Sequence, residues 1–256
     1  MGRWPVVEKK KSASNAAKQK VFSLHAKLIS LAAQKWWDPD QNPALFDAVE
    51  KARKDNVPND NIERAIKKWT WEDKDAASIS QIVYEWYGVW WVAVMVTTLT
   101  DNKNRTASNI RHIFTKYGGN MGESGSVGFI FEKKGLLFLS LDKYDAAQLE
   151  EMVFETDVED FMIEDGVFKI TTSLEDFNTV QKFFKAKNME LEFADIDYIP
   201  TTESNVDEFD KALKLTKMLE AFWEDEDVQK VTVNMIIDEK LQQEVDEFIE
   251  KNTFRT

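Results

Sequence analysis

Residues 134–200 present secondary-structure signals in an order that few folds accept. Apolar alternation marks a strand over 136–141, and helical spacing follows over 144–154. A strand over 158–164 runs into Asp165-Gly166, a dipeptide that accepts the positive φ of a tight hairpin turn. A strand over 167–172, a helix over 174–187 and a strand over 190–198 complete the series. The order β-α-β-β-α-β is the split-βαβ, or ferredoxin-like, sandwich.

The remainder arranges itself around this segment. Val21, Leu24, Leu28, Leu31 and Ala32 recur at helical spacing. Asn42 and Pro43 form an N-cap and first-turn pair that opens a second helix to about residue 56, with Leu45, Phe46 and Val49 on one face. A third helix covers 58–68, with Ile62 and Ile66 inward. The texture then changes to strands over 79–87 and 92–100, rich in Val, Ile, Tyr and Thr. Asn102 or Asn104 caps a helix through 117, and a glycine-rich loop leads to a strand over 127–132. After Pro200 come a helix over 207–222, a strand over 228–235 and a final helix to about 251. These last elements have no sheet of their own, so they are expected to pack on the 79–132 unit.

The expected fold class is α+β with three domains: an N-terminal helical bundle and two α/β sandwich domains, one ferredoxin-like and inserted in the other. The boundaries read as a basic arm at 1–20, a helical domain at 21–75, a discontinuous α/β domain at 76–133 and 201–256, and the ferredoxin-like domain at 134–200.

Tryptophan is placed oddly. Trp36 and Trp37 follow a helix end, as does Trp69, while Trp71, Trp86, Trp90 and Trp91 fall in turns or at strand ends. Such positions ask for glycine, and a bulky side chain there costs about 1–2 kcal/mol of backbone strain. An exposed aromatic surface for base stacking or for a partner protein is one reading. The other is that UGA codons read as glycine are written here as Trp. Glycine at those positions yields KGGDPD, KGTGED and YEGYGVGGVAV, each a sensible cap or hairpin. A sequenced peptide carrying Trp there would remove the second reading. Trp4 and Trp223 fit it less well.

Charge is unevenly distributed. The chain carries −13 overall, yet residues 1–68 hold 14 Lys/Arg against 8 Asp/Glu, a net +6. The rest holds 19 against 38, a net −19. A basic head on an acidic body meets polyanions at one end only; a solvated lysine-rich face is the plainer reading. The candidate nucleic-acid-binding residues are the arm cations Lys9, Lys10, Lys11, Lys18 and Lys20, then Lys27 in the first helix. Arg53, Lys54, Arg64, Lys67 and Lys68 cluster at the ends of the next two helices, and Lys103, Arg105, Arg111 and Lys116 ride on the helix after the second strand. Contacts of this type grip phosphates without reading sequence. No helix displays an obvious set of base-reading polar residues, so shape, RNA or weakly specific DNA recognition is expected.

Nothing points to catalysis. There are no cysteines, which removes disulfides, thiolate nucleophiles and Cys-bound zinc and fits a reducing cytosol. Of the two histidines, His25 reads as a packing or surface residue and His112 as a phosphate neighbour at most. No HExxH, phosphate-loop or Ser-His-Asp signature occurs. The loop with Gly118, Gly119, Gly122, Gly125 and Gly128 contains Glu123 and is followed by no lysine, so it reads as a connector rather than a phosphate cradle. The run Glu224-Asp225-Glu226-Asp227 reads as a solvated loop, not a metal site. No catalytic residue, metal, cofactor or small-molecule substrate is expected. No apolar run reaches the roughly 20 residues of a membrane span, and no secretory signal is apparent.

Long motifs then carry a resemblance. DPDQNPAL (38–45), DNVPNDNIERAIKK (55–68), IVYEWYGVWWVAVMV (82–96), TDNKNRTASNIRHIFTKYGGNMG (100–122), GSVGFIFEKKG (125–135) and DVQKVTVNM (227–235) run in order through most of the chain. They resemble the YebC family of transcriptional regulatory proteins, with several family glycines written as Trp. The arm MGRWPVVEKKK departs from the family's usual opening, Val89 stands where proline is common, and 141–220 matches by pattern more than by letter. The resemblance implies a helical N-terminal domain and two α/β domains, and a cytoplasmic, DNA-binding regulator of transcription. Related members are translational activators, so a ribosome-associated factor binding rRNA is the alternative. The residues do not separate the two.

Overall fold

The computed structural model describes residues 15–67, 78–87, 92–119, 122–123 and 125–253. Lys9, Lys10, Lys11, Lys68, Trp69, Trp71, Trp90 and Trp91 lie outside them. In chain order the helical segment comprises α1 (Asn15–Ala33), α2 (Pro43–Lys54) and α3 (Asn59–Lys67). Then follow β1 (Ser80–Tyr87), β2 (Ala93–Thr100), α4 (Lys103–Lys116), β3 (Phe131–Ser140), α5 (Ala146–Val153), β4 (Asp160–Glu164) and β5 (Val167–Thr172). The chain continues with α6 (Phe177–Ala186), β6 (Phe193–Pro200), β7 (Ser204–Val206), α7 (Phe209–Glu224), β8 (Val228–Val233), β9 (Met235–Ile237) and α8 (Glu239–Thr253). It divides into two compact units, residues 1–128 with 203–256, and residues 129–202.

In the first unit, α1 to α3 bury Ile29, Leu45, Val49, Ala52 and Ile62 against one another. Asn42 joins α1 to α2. Its carbonyl oxygen accepts from the Leu45 amide at 3.2 Å, capping α2, while its amide donates to the carbonyls of Ala32 and Trp36. His25 is buried and meets the Asp55 carboxylate at 2.7 Å, tying α1 to the end of α2. Asn56 turns the chain into α3 with φ +59°, a conformation Asn tolerates better than most residues.

The sheet of this unit has the order β1-β2-β8, antiparallel throughout. Because β8 returns from beyond residue 200 to pair with β2, the second unit is an insertion between α4 and β7. Helices α4, α7 and α8 cover the sheet around Val94, Val96, Ile110, Phe114, Leu219 and Phe222. β7 and β9 form a short parallel pair. At three residues each, they are too short for alternation to reveal.

The second unit has the sheet order β4-β5-β3-β6, all antiparallel, with α5 and α6 packed on Leu137, Leu139, Phe168 and Ile170. This is the ferredoxin-like sandwich. One expectation is corrected: the strands read at 127–132 and 136–141 are a 3-10 turn at Gly128–Ile130 and a single ten-residue strand, β3. Gly135 does not break that strand. It makes room for Phe177, whose side chain a Cβ at 135 would overlap.

The tryptophans are also corrected in part. The described non-glycine residues with positive φ are Asn56, Asp165 and Asn188, so the backbone at Trp36, Trp37 and Trp86 is not left-handed. Trp36 and Trp37 are exposed. Trp86 lies inside β1, fully buried, stacked on Phe114 with centroids 5.4 Å apart. Its Nε1 is buried and has no hydrogen-bond partner among the described residues. Gly119 is required beside it, because a Cβ there would overlap the indole.

Candidate nucleic-acid interface

Helix α4 starts from Asn102, whose side chain accepts from the Arg105 amide at 3.1 Å. It buries Thr106, Ile110 and Phe114 and turns Lys103, Arg111, His112 and Lys116 outward. Its sequence, KNRTASNIRHIFTK, contains no Asp or Glu. Among the described residues Lys103, Arg111 and Lys116 make no ion pair, although Lys116 sits 5.3 Å over the Tyr117 ring.

Arg105, on the same helix, is committed inward. Its guanidinium donates to Asp101 at 3.0 Å and to both carboxylate oxygens of Asp227, at 2.8 and 3.1 Å. The Asp227 bond is the main reason its pKa is raised, against a smaller opposing effect of burial. Asp227 also accepts from Lys27 Nζ at 2.6 Å and from the Thr106 hydroxyl at 2.7 Å. Lys27 donates in addition to the Glu226 carbonyl, and Lys20 to the Trp223 carbonyl. Lys20 and Lys27 therefore fasten α1 to the last turn of α7 and to the α7–β8 connection.

Burial pushes the Asp227 carboxyl up, but the hydrogen bonds from Lys27, Arg105 and Thr106 together outweigh it and leave it below its ordinary value. The buried Tyr84 hydroxyl is raised, first by burial and then by the Asp227 charge, with Arg111 opposing. Asp227 corrects the reading of 224–227 as a solvated loop, since it is 2% exposed. Its position just ahead of the apolar alternation of β8 was the only local signal.

The remaining candidates divide similarly. Arg53 pairs with Glu50 at 2.9 Å, and Lys67 lies 3.9 Å from Glu63. Both are exposed helix-surface pairs of small energetic weight. Lys18 and Lys54 are exposed. Arg64 is exposed and has no ion-pair partner among the described residues.

Glu85 occupies four of the described amides of the glycine-rich loop. The buried Glu85 carboxylate accepts from Gly125 at 2.7 Å, Val127 at 2.7 Å and Gly128 at 2.9 Å, and the Glu85 carbonyl accepts from Gly122 at 2.8 Å. A nest that elsewhere holds an anion is filled here by the protein's own carboxylate. Sequence reasoning missed Glu85, because its partners lie about forty residues away.

Two family models match in tandem: "TACO1/YebC protein N-terminal domain" over residues 2–72 and "TACO1/YebC second and third domain" over residues 79–235. The chain belongs to the TACO1/YebC family. A "Probable transcriptional regulatory protein" of Finegoldia magna is 40% identical to this TACO1/YebC chain over 233 residues, covering 91% of it and 96% of the relative. A protein of the same description from Clostridium perfringens is 49% identical over 195 residues, covering 76% and 79%. The crystal structure of a conserved hypothetical protein from Aquifex aeolicus superposes with a TM-score of 0.82 at 36% identity, covering 92% of this chain and 97% of that one. In this TACO1/YebC member no described helix is long and apolar enough to cross a membrane. Among the described residues, Lys103, Arg111 and Lys116 of α4 and Arg64 of α3 are exposed and outside any ion pair, as are Lys18, Lys35, Lys182, Lys185 and Lys240 elsewhere.

Proposed function

We propose that the chain is a nucleic-acid-binding regulator of transcription, acting in the cytoplasm, that grips phosphates through the exposed cations of α4. One observation carries this: in a chain of net charge −13, a fourteen-residue helix has no acidic residue and leaves Lys103, Arg111 and Lys116 outside any ion pair among the described residues. Cations without internal partners are the ones available to displace counterions from a phosphate backbone. Lys27 and Arg105 serve a different purpose, since Asp227 holds both. The exposed cations at the ends of α2 and α3, and those of the arm, add electrostatic attraction. The acidic remainder limits indiscriminate adhesion to nucleic acid. The description shared by the relatives from Finegoldia magna and Clostridium perfringens supports transcription as the process regulated.

Fluorescence anisotropy of a labelled duplex across a salt series tests the reading. The double variant Arg111→Glu with Lys116→Glu is expected to bind at least about tenfold more weakly. Its salt slope should fall by roughly one unit for each phosphate that is no longer neutralised. Lys103→Glu is expected to act in the same direction. Unchanged affinity and slope in all of these variants would reject the role of the α4 cations.

A further inference from the structure

A depression of about 400 Å³ opens between α1, α3 and the turn that follows β2. Its apolar lining comes from Phe22 and Ala26 of α1, Ala65 of α3 and Ile79. Several polar groups at its edge are already committed. Lys27 is held by Asp227, Asp101 by Arg105, and the Ser30 hydroxyl donates to the Ala65 carbonyl at 3.3 Å. Three are not. The side chains of Ser23, Asn61 and Arg64 line the same depression and have no hydrogen-bond or ion-pair partner among the described residues.

An apolar cavity with a few uncommitted, convergent polar groups is the usual construction of a small-ligand site. The types of these groups narrow the ligand. A carboxamide sets a donor beside an acceptor, which matches the hydrogen-bonding edge of a nucleobase. A guanidinium offers a planar fork to a phosphate. The apolar lining, to which Phe22 contributes, suits the face of an aromatic ring. The one carboxylate of the lining, Asp101, has its charge offset by Arg105 at 3.0 Å, so an anion is not turned away.

We propose that this depression receives one nucleotide, its base against Phe22 and Asn61 and its phosphate at Arg64. The inference rests on the nucleic-acid-binding reading and deepens it. A base stacked inside a duplex cannot enter such a pocket, whereas an unpaired or looped-out base can. The pocket therefore makes the protein prefer nucleic acid with unpaired nucleotides, while the α4 cations contribute affinity for any phosphate backbone.

The test uses the full chain and three probes: an unpaired oligonucleotide, a fully paired one of equal length, and free mononucleotides. Ser23→Phe fills the depression, and Asn61→Ala removes the base-edge hydrogen bonds without filling it. Wild type is expected to bind the unpaired strand more tightly than the duplex. Each variant should bind the unpaired strand about tenfold more weakly, as for one bidentate pairing with a base, with duplex affinity unchanged. Mononucleotide binding, followed by ligand-observed NMR, should be present in wild type and absent in Ser23→Phe. Equal affinity of wild type for both strands, or unchanged affinity of both variants for the unpaired strand, overturns the pocket. Circular dichroism checks the folding of Ser23→Phe, and Asn61→Ala decides alone should that variant unfold. In a chain that bound no strand, the nucleic-acid reading would fail by itself. Mononucleotide binding that disappears in the variants would then still support the pocket, and its absence in wild type would overturn it.

Discussion

Asp227→Ala is expected to lower the unfolding free energy by about 3–5 kcal/mol, the range found when one partner of a buried ion pair is removed. The reason is specific to the surroundings. Asp227 is 3% exposed by side chain and Lys27 16%, so truncation leaves a largely buried ammonium facing no carboxylate. Arg105 is about half exposed and keeps Asp101, so its share is screened by solvent and small. The loss should appear in urea unfolding at pH 7 as a lower midpoint. It should also loosen α1 from the α7–β8 connection, seen as faster amide exchange along α1. A midpoint within error of wild type would show that the network carries no net stability.

The same residue sets a pH dependence. Its folded pKa lies below the unfolded value, so its contribution is fully present above the unfolded pKa, near about 3.9. It is lost as the pH falls through the folded value. Acid should therefore destabilise wild type more steeply below about pH 4 than it destabilises Asp227→Asn, which has no carboxylate left to protonate. Parallel acid profiles for the two proteins would contradict this.

Glu85→Ala should have an effect of similar size by a different route. Three backbone N–H groups, those of Gly125, Val127 and Gly128, lose their acceptor together. Each orphaned buried donor costs about 1–3 kcal/mol, reduced where water can enter. Val127 is buried, Gly128 half-buried and Gly125 exposed, so a total of about 2–4 kcal/mol is expected for Glu85→Ala. Glu85→Gln keeps an acceptor oxygen and should lose less. Amide exchange at Val127, which is fully buried, should speed up most. Near-normal stability in Glu85→Ala would mean that the loop finds other partners.

Element identity was largely legible in the sequence because the signals are local. The Asn42-Pro43 cap, the Asn102 cap, the Asp165-Gly166 turn and the β-α-β-β-α-β order each depend on neighbours a few residues apart. What was misread depended on distance. The break read between 132 and 136 left out the Phe177 ring, which takes the space beside Gly135 within one continuous strand. The short pair β7 and β9 has too few residues for a period. The charges were legible as a count but not as assignments, since nothing near Lys27 or Arg105 in sequence reveals a shared carboxylate at 227.

By itself, the sequence determined the kind of element most segments form, the polarity of their faces and the basic character of the first sixty-eight residues, all properties of short stretches of chain. Only the tertiary structure decided which charges are consumed and which are left over. Asp227 and Glu85 are drawn out of water and must collect donors from segments far away in sequence, so Lys27 and Arg105 become fastenings while Lys103, Arg111 and Lys116 stay outside any ion pair among the described residues.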